Sequence, residues 1–212
     1  LLRRLFADLA QGAPEAPPDL PAFTPFGLRV IEVESPQSQA VFGQQGIGAQ
    51  DQDFETAQIM LRILGGGGFS SRLTEAVRVK RGLTYGIGIG LDTSFGGGVL
   101  MGSVASDNAK IAEALAVTRA EWARMAEEGP TDDEMVEAVA YLTGSLALQF
   151  TDSRRIAGTL LAMQRNARPI DWLDGRTERL RAITRADAAR VARKLLKAEA
   201  LAVTVAGKPI GL

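Results

Sequence analysis

The chain contains neither histidine nor cysteine. Their absence removes the usual imidazole and thiolate ligands of zinc and copper, and with them every Cys/His and Ser/His/Asp nucleophilic arrangement. Carboxylates are the only ligand class left; they suit Mg²⁺ or Ca²⁺, and no Asp-x-Asp-x-Asp-Gly loop organises them. No metal or other cofactor is expected in this chain. An excess of one charge is lacking too: 24 basic and 25 acidic residues give a net charge of −1. That leaves no electrostatic footprint for nucleic acid or an anionic membrane. Apolar stretches are interrupted well short of the roughly 18–20 residues that cross a bilayer, so no membrane span is expected. The missing cysteines fit cytosol and periplasm equally and leave the compartment open. A first residue of Leu1 in place of Met is read as a missing true N-terminus, any signal peptide included.

What remains is 212 residues of 46% hydrophobic content, enough for a substantial core. Leu2, Leu5, Phe6 and Leu9 lie at helical spacing, and five of the nine prolines follow between Pro14 and Pro25. Residues 1–25 are therefore read as the helix end of an upstream domain plus a Pro-rich, semi-rigid linker. A terminal helix docked on its own domain is the alternative. Residues 26–212 are read as a single domain. Leu28–Glu34 and Ala40–Ile47 have strand character and are expected to pair across a turn at Pro36-Gln37-Ser38. Gly43, Gln44 and Gln45 suggest an edge, a close backbone approach or a solvated face. Ala57, Met60, Leu61 and Leu64 mark a buried helix face.

Further on, Tyr85–Leu91 and Val99–Ser106 read as paired strands. A long helix capped by Asp107 or Asn108 runs to about Glu128, stopped by Gly129-Pro130. Thr131-Asp132-Asp133-Glu134 is a capping box opening the next helix, to about Phe150. Helices are expected over 152–166, 176–183 and 184–196, with a last apolar strand over 200–206. No period of 20–50 residues repeats. Clustered strands separated by runs of helix predict an α+β fold with a mixed, mostly antiparallel sheet packed against helices.

The segment from Gly65 to Tyr85 is the densest in signal: Gly-Gly-Gly-Gly-Phe-Ser-Ser-Arg-Leu, then Glu75-Ala-Val-Arg78-Val-Lys-Arg-Gly82-Leu-Thr-Tyr85. Four glycines before a helix start resemble a phosphate cradle, yet no Gly-Lys-Ser/Thr follows and the Gly-x-Gly-x-x-Gly spacing is absent. A tight bend between two packed helices explains the run as well. Arg78 sits about 100° round from Val77 of the Leu73/Ala76/Val77 stripe and points to the rim, either toward a ligand or pairing with Thr74 or Glu75 one turn back. Gly82 suits a left-handed helix stop. Four helical residues descend about 6 Å and three extended ones climb back about 10 Å, so Arg78 and Tyr85 can reach one point. Alternation with Ile87 and Ile89 offers the other reading of Tyr85, a buried ring capping the core.

The same residues resemble the Arg/Tyr motif in the C-terminal half of M16 zinc peptidases, the pitrilysin and mitochondrial-processing-peptidase type. The match covers about twenty residues closely and residues 25 to 207 loosely. In that family two homologous α+β halves enclose a chamber, one bearing a His-x-x-Glu-His zinc site and the other the Arg and Tyr. A chain without histidine can correspond only to the second. The resemblance implies that Tyr85 donates to the developing oxyanion and Arg78 holds a substrate carbonyl, or the reverse, with Gly66, Gly67, Gly68, Phe69 and Ser70 as a substrate loop. It also implies that zinc and its general base come from another domain or a partner subunit, and that this chain alone cleaves nothing. A non-catalytic assembly or peptide-binding subunit is the alternative. Bacterial relatives of this kind are often envelope proteins.

Overall fold

The computed structural model describes residues 2–8, 12, 23–68, 70–93 and 97–212. Most of the expected linker, and Phe69, lie outside them. A four-residue helix α1 (Leu2–Leu5) precedes β1 (Leu28–Glu32), β2 (Gln37–Gln45), α2 (Phe54–Leu64), a π-helical turn (Thr74–Val79), β3 (Ile87–Asp92) and β4 (Val99–Asp107). Then come α3 (Ile111–Glu128), α4 (Asp132–Gly144), a 3₁₀ segment (Ser145–Phe150), α5 (Ser153–Arg165), α6 (Arg176–Ala182), α7 (Arg185–Leu195) and β5 (Ala202–Gly207). The strands form one five-stranded sheet in the order β1-β5-β2-β4-β3, antiparallel except for β1 against β5. The expected α+β class is what the structure shows.

Alternation along β2 and β4 sends Ala40, Phe42, Leu100 and Val104 to one face, where Trp122 of α3, Ile59 and Met60 of α2 and Val191 of α7 close the core over them. The Phe42 and Trp122 rings meet edge to face at 6.2 Å. The opposite face is open to solvent and mixed in character: the polar Gln39 and Ser103, the small Ala105 and the apolar Val41 and Met101 are exposed there. Two helix starts follow their capping boxes. Thr131 accepts from the Glu134 amide while Glu134 returns to the Thr131 amide, and Thr184 and Asp187 repeat the arrangement at α7.

Three local expectations are corrected. β1 and β2 are not paired, because β5 lies between them. β5 is apolar on both faces, the pattern of a strand that needs two neighbours, and it takes Val30 from one side and Ala40 from the other as partners of Val205. Gln44 is neither solvated nor at an edge. Its side chain is 3% exposed, accepts from Trp122 Nε1 at 3.0 Å and the Lys197 amide at 3.2 Å, and donates to the Leu195 carbonyl. Gly43 beside it does mark a close approach, since a Cβ there would lie 2.8 Å from the Leu100 carbonyl oxygen. Asn108 does not cap α3, whose first turn starts after Lys110. Its carboxamide is engaged by Ser38 (2.6 Å) and the Ser35 carbonyl (2.8 Å), which ties the start of β2 to the end of β4.

Candidate functional site

Gly65 ends α2, and its amide and that of Gly66 both return to the Leu61 carbonyl. The Gly65 carbonyl then accepts from the Ile89 amide at 3.0 Å, so the glycine run is docked on the free edge of β3. A Cβ at Gly65 would press on the Leu73 side chain at 2.7 Å and Ile89 at 3.1 Å, and one at Gly66 would meet backbone, the Leu61 carbonyl oxygen at 2.9 Å, so the bend favours bare backbone. Gly67 and Gly68 have φ of +110° and +80°, which side chains rarely adopt. The run is a tight, sheet-bound bend.

The motif helix that follows is anchored by Arg72, which sequence reading passed over. Its side chain is 7% exposed and grips Glu134 through Nε–Oε1 (2.6 Å) and Nη2–Oε2 (2.7 Å), with Nη2 also donating to the Gly129 carbonyl at 2.8 Å. Burial pushes the Glu134 carboxyl up, but Arg72 and Thr131 outweigh it and hold the group below the usual glutamate range. A helix-opening glutamate thus also clamps the Arg/Tyr segment to α4. Past Leu73 the helix widens into a π turn, marked by the Lys80 amide bonding to the Glu75 carbonyl five residues back at 2.9 Å. A wider turn advances each residue by less than the ~100° of an α-helix. Arg78 accordingly sits half-buried at a cleft edge and not on an open rim. Glu75 pairs with Lys80 at 3.7 Å.

Gly82, at φ +59°, ends the turn as expected. The chain is then stitched to β4. Ser106 Oγ donates to the Leu83 carbonyl at 2.5 Å, Thr84 Oγ1 donates to the Ala105 carbonyl at 2.5 Å, and the Gly86 amide donates to Thr84 Oγ1 at 3.1 Å. Regular alternation begins only at Ile87, so Tyr85 escapes it: its ring is 88% exposed and does not cap the core. Thr84 is the signal that sequence reading missed, a hydroxyl residue able to hold the bend from inside.

Arg78 and Tyr85 line one cleft of about 410 Å³, together with Gln37, Asp107 and Lys110. Lys110 and Asp107 face each other there at 3.5 Å. The cleft opens beside the end of the sheet's bare face, where Gln37 and Ala105 lie. The expected loop residues go elsewhere. Ser70 lines a separate cavity of about 310 Å³ with Arg62 and Tyr141. There the Arg62 guanidinium stacks 3.8 Å from the Tyr141 ring centroid and lies against Gly68, where a Cβ would be 3.2 Å from Nη2. Gly66 and Gly67 line neither. Among the described residues no group of three or more His, Cys, Asp or Glu is placed to hold a metal, and no helix is long and apolar enough to cross a membrane.

A mostly antiparallel sheet backed by helices on one face, with Arg78 and Tyr85 in a cleft at its end, defines an α+β unit. The chain belongs to the peptidase M16 family: the family model described as the peptidase M16 inactive domain matches residues 1–142. Among similar proteins is an uncharacterized zinc protease of Streptomyces coelicolor, 33% identical over 127 residues, covering 59% of this chain and 27% of that protein. The non-peptidase homolog YmxG of Helicobacter pylori is 31% identical over 102 residues, covering 46% of this chain and 22% of that protein. The crystal structure of a peptidase M16 inactive domain from Pseudomonas fluorescens superposes with a TM-score of 0.89 at 28% identity, covering 98% of this chain and 49% of that one. The chain thus spans about half of that structure and about a quarter of the curated relatives.

Proposed function

We propose that the chain is the substrate-binding half of an M16-type zinc metalloendopeptidase. Arg78 and Tyr85 receive the peptide, and another domain or a partner subunit supplies zinc. The observation that carries this reading is the shared cleft: a half-buried guanidinium and an exposed phenol face one open space while Leu83 and Thr84 before Tyr85 are hydrogen-bonded to β4 and Ile87 after it pairs with Val104 of β4. Holding a backbone rigid while leaving a large ring in water stabilises nothing by burial; it pre-places a donor. Tyr85 Oη then donates to the oxygen on which negative charge develops, and the Arg78 guanidinium holds a neighbouring carbonyl, both fixed before substrate arrives. Bound zinc supplies Lewis acidity and an activated water. The bare sheet face lies beside the cleft and suits an extended peptide or the wall of an enclosed space.

The test is reconstitution with the zinc-bearing half and a quenched-fluorescence peptide. Tyr85→Phe and Arg78→Ala should each abolish most cleavage while the isolated chain melts as before. Cleavage near the wild-type rate in both variants would remove the reading. A second reading, a non-catalytic assembly subunit, is favoured by the apolar exposure of β1, where Leu28, Val30 and Ile31 are 40–48% exposed. It expects a stable complex that cleaves nothing and is indifferent to Tyr85→Phe.

A further inference from the structure

At the opposite end of the sheet, between α2, α5 and the turns over 166–176, lies a cavity of about 230 Å³. Arg168 and Arg176 both line it, with Gln58, Asn166 and the apolar Met163 and Leu173. A third guanidinium, Arg179, stands behind them. Arg176 is only 7% exposed. Charge there does not balance. Among the described residues a single carboxylate, Glu55, lies within 4.0 Å of the three, and it is held by both nitrogens of Arg179 at 2.8 and 3.0 Å. Arg176 reaches it only at 4.0 Å and otherwise donates to Gln58 Oε1 at 3.1 Å. Arg168 bonds to the Ala49 carbonyl and lies over the rings of Trp172 (4.7 Å) and Phe54 (5.3 Å), with no carboxylate beside it.

The Trp172 and Phe54 rings offset part of the cost of the half-buried Arg168, but a planar fork that lacks its anion is a binding element. Burial draws both Arg168 and Arg176 below the ordinary arginine range, with Arg179 adding to the effect and Glu55 opposing it. An incoming anion relieves that penalty.

We propose that this cavity is a carboxylate-binding site, taking a monocarboxylate carried on a compact apolar group between the guanidinium groups of Arg168 and Arg176. The walls choose within the anions. Beside the arginines, Gln58, Thr159 and Asn166 add polar groups, while Met163, Leu173, Ala49 and Leu146 give an apolar wall for the group that carries the carboxylate, and the volume, below that of drug-sized ligand pockets, suits one residue. A peptide's C-terminal residue and a free small carboxylic acid present this same chemistry. The cavity stands apart from the Arg78/Tyr85 cleft. β2 separates them, with Gln37 lining the cleft and Ala49, four residues beyond the strand's end, lining the cavity.

The chain reports on itself, because it has two tryptophans and one of them, Trp172, lies under Arg168 and Arg179. Trp122 is buried with its indole N–H bonded to Gln44 and serves as the fold control. The indole N–H resonances of the ¹⁵N-labelled chain are followed while N-acetyl-leucine, N-acetyl-leucinamide, an acetylated tetrapeptide ending in leucine, or inorganic phosphate is added. A saturable shift of Trp172 by the free acid in the millimolar range or below, absent with the amide, is the expected result. Arg168→Gln should weaken it at least tenfold with Trp122 unmoved, and Arg176→Lys should weaken it with the fold kept. Tighter binding of the tetrapeptide than of N-acetyl-leucine identifies a peptide terminus as the source, and the reverse a free acid; both sustain the proposal. Equal shifts by acid and amide, a response to phosphate alone, no saturable shift, or unchanged affinity in Arg168→Gln would each overturn it.

Discussion

Replacing Glu134 by alanine tests whether the Arg/Tyr segment is clamped from behind. The carboxylate takes two short hydrogen bonds from Arg72 and a third, at 2.7 Å, from the Thr131 amide. Its loss leaves a guanidinium of 7% exposure without its anion, a change that costs about 3–5 kcal/mol in buried pairs, and it halves a capping box worth about 1 kcal/mol. The two overlap, so about 4 kcal/mol is expected in all. With an assumed urea slope of about 2 kcal/mol/M, the midpoint of unfolding followed by circular dichroism falls by about 2 M. Arg72→Met combined with Glu134→Met removes both charges and should recover a large part of the loss, because no stranded cation remains. A loss under about 1 kcal/mol for Glu134→Ala, the range of exposed ion pairs, would refute the clamp.

Three further outcomes are expected. Tyr85→Phe should lower the turnover of the reconstituted two-half assembly by about 10²–10³-fold, the effect of removing one oxyanion donor, with the melting temperature of the isolated chain unchanged. Asp53 is 3% exposed and held by Arg190 at 2.8 Å, and by Lys194 at 2.7 Å, against the opposing effect of burial, so its carboxyl falls to about 2, below the ~3.9 of an unfolded aspartate. Its contribution of about 2 kcal/mol is therefore complete above about pH 4 and lost as pH falls toward about 2, and Asp53→Asn should flatten the acid limb of a stability-versus-pH curve. Gly98→Ala should cost more than about 2 kcal/mol in chemical denaturation, since the position has φ +69° and a Cβ there would run into the Ile47 carbonyl.

Local signals in the chain were written where the interactions are local. The capping box at Thr131, the start of α7 at Thr184, the α2 face and the Gly82 stop each depend on residues within a turn or two, and each stands where the pattern puts it. What escaped depends on distant partners. Nothing near Leu28 says that Val203 will lie beside it, and nothing near Gln44 says that Trp122 and Leu195 will close over its amide. The Arg72–Glu134 pair spans 62 residues and left only half a trace, a glutamate already accounted for by its cap. The core reading of Tyr85, one of the two the sequence leaves open, fails for a subtler reason. It carries strand alternation two residues upstream of Ile87, into the stretch that Thr84 and Ser106 bend, where the ring is exposed.

That exposure separates a catalytic from a purely architectural use of the chain. A tyrosine kept for architecture contributes by burying its ring, so its removal lowers stability in whichever state buries it. Tyr85 buries almost nothing in the isolated chain. If the chain only assembles, the ring can matter only by being covered in the complex, and Tyr85→Ala should weaken assembly while Tyr85→Phe, which keeps the ring, leaves it intact. If the phenol works on a peptide, Tyr85→Phe alone should remove cleavage and leave the affinity between the halves unchanged. The hydroxyl and the ring thus report different functions. Comparing the two substitutions in binding and cleavage of the reconstituted assembly assigns the residue, and an equal effect of both on affinity with no cleavage in the wild type would place this chain among the non-peptidase members of its family.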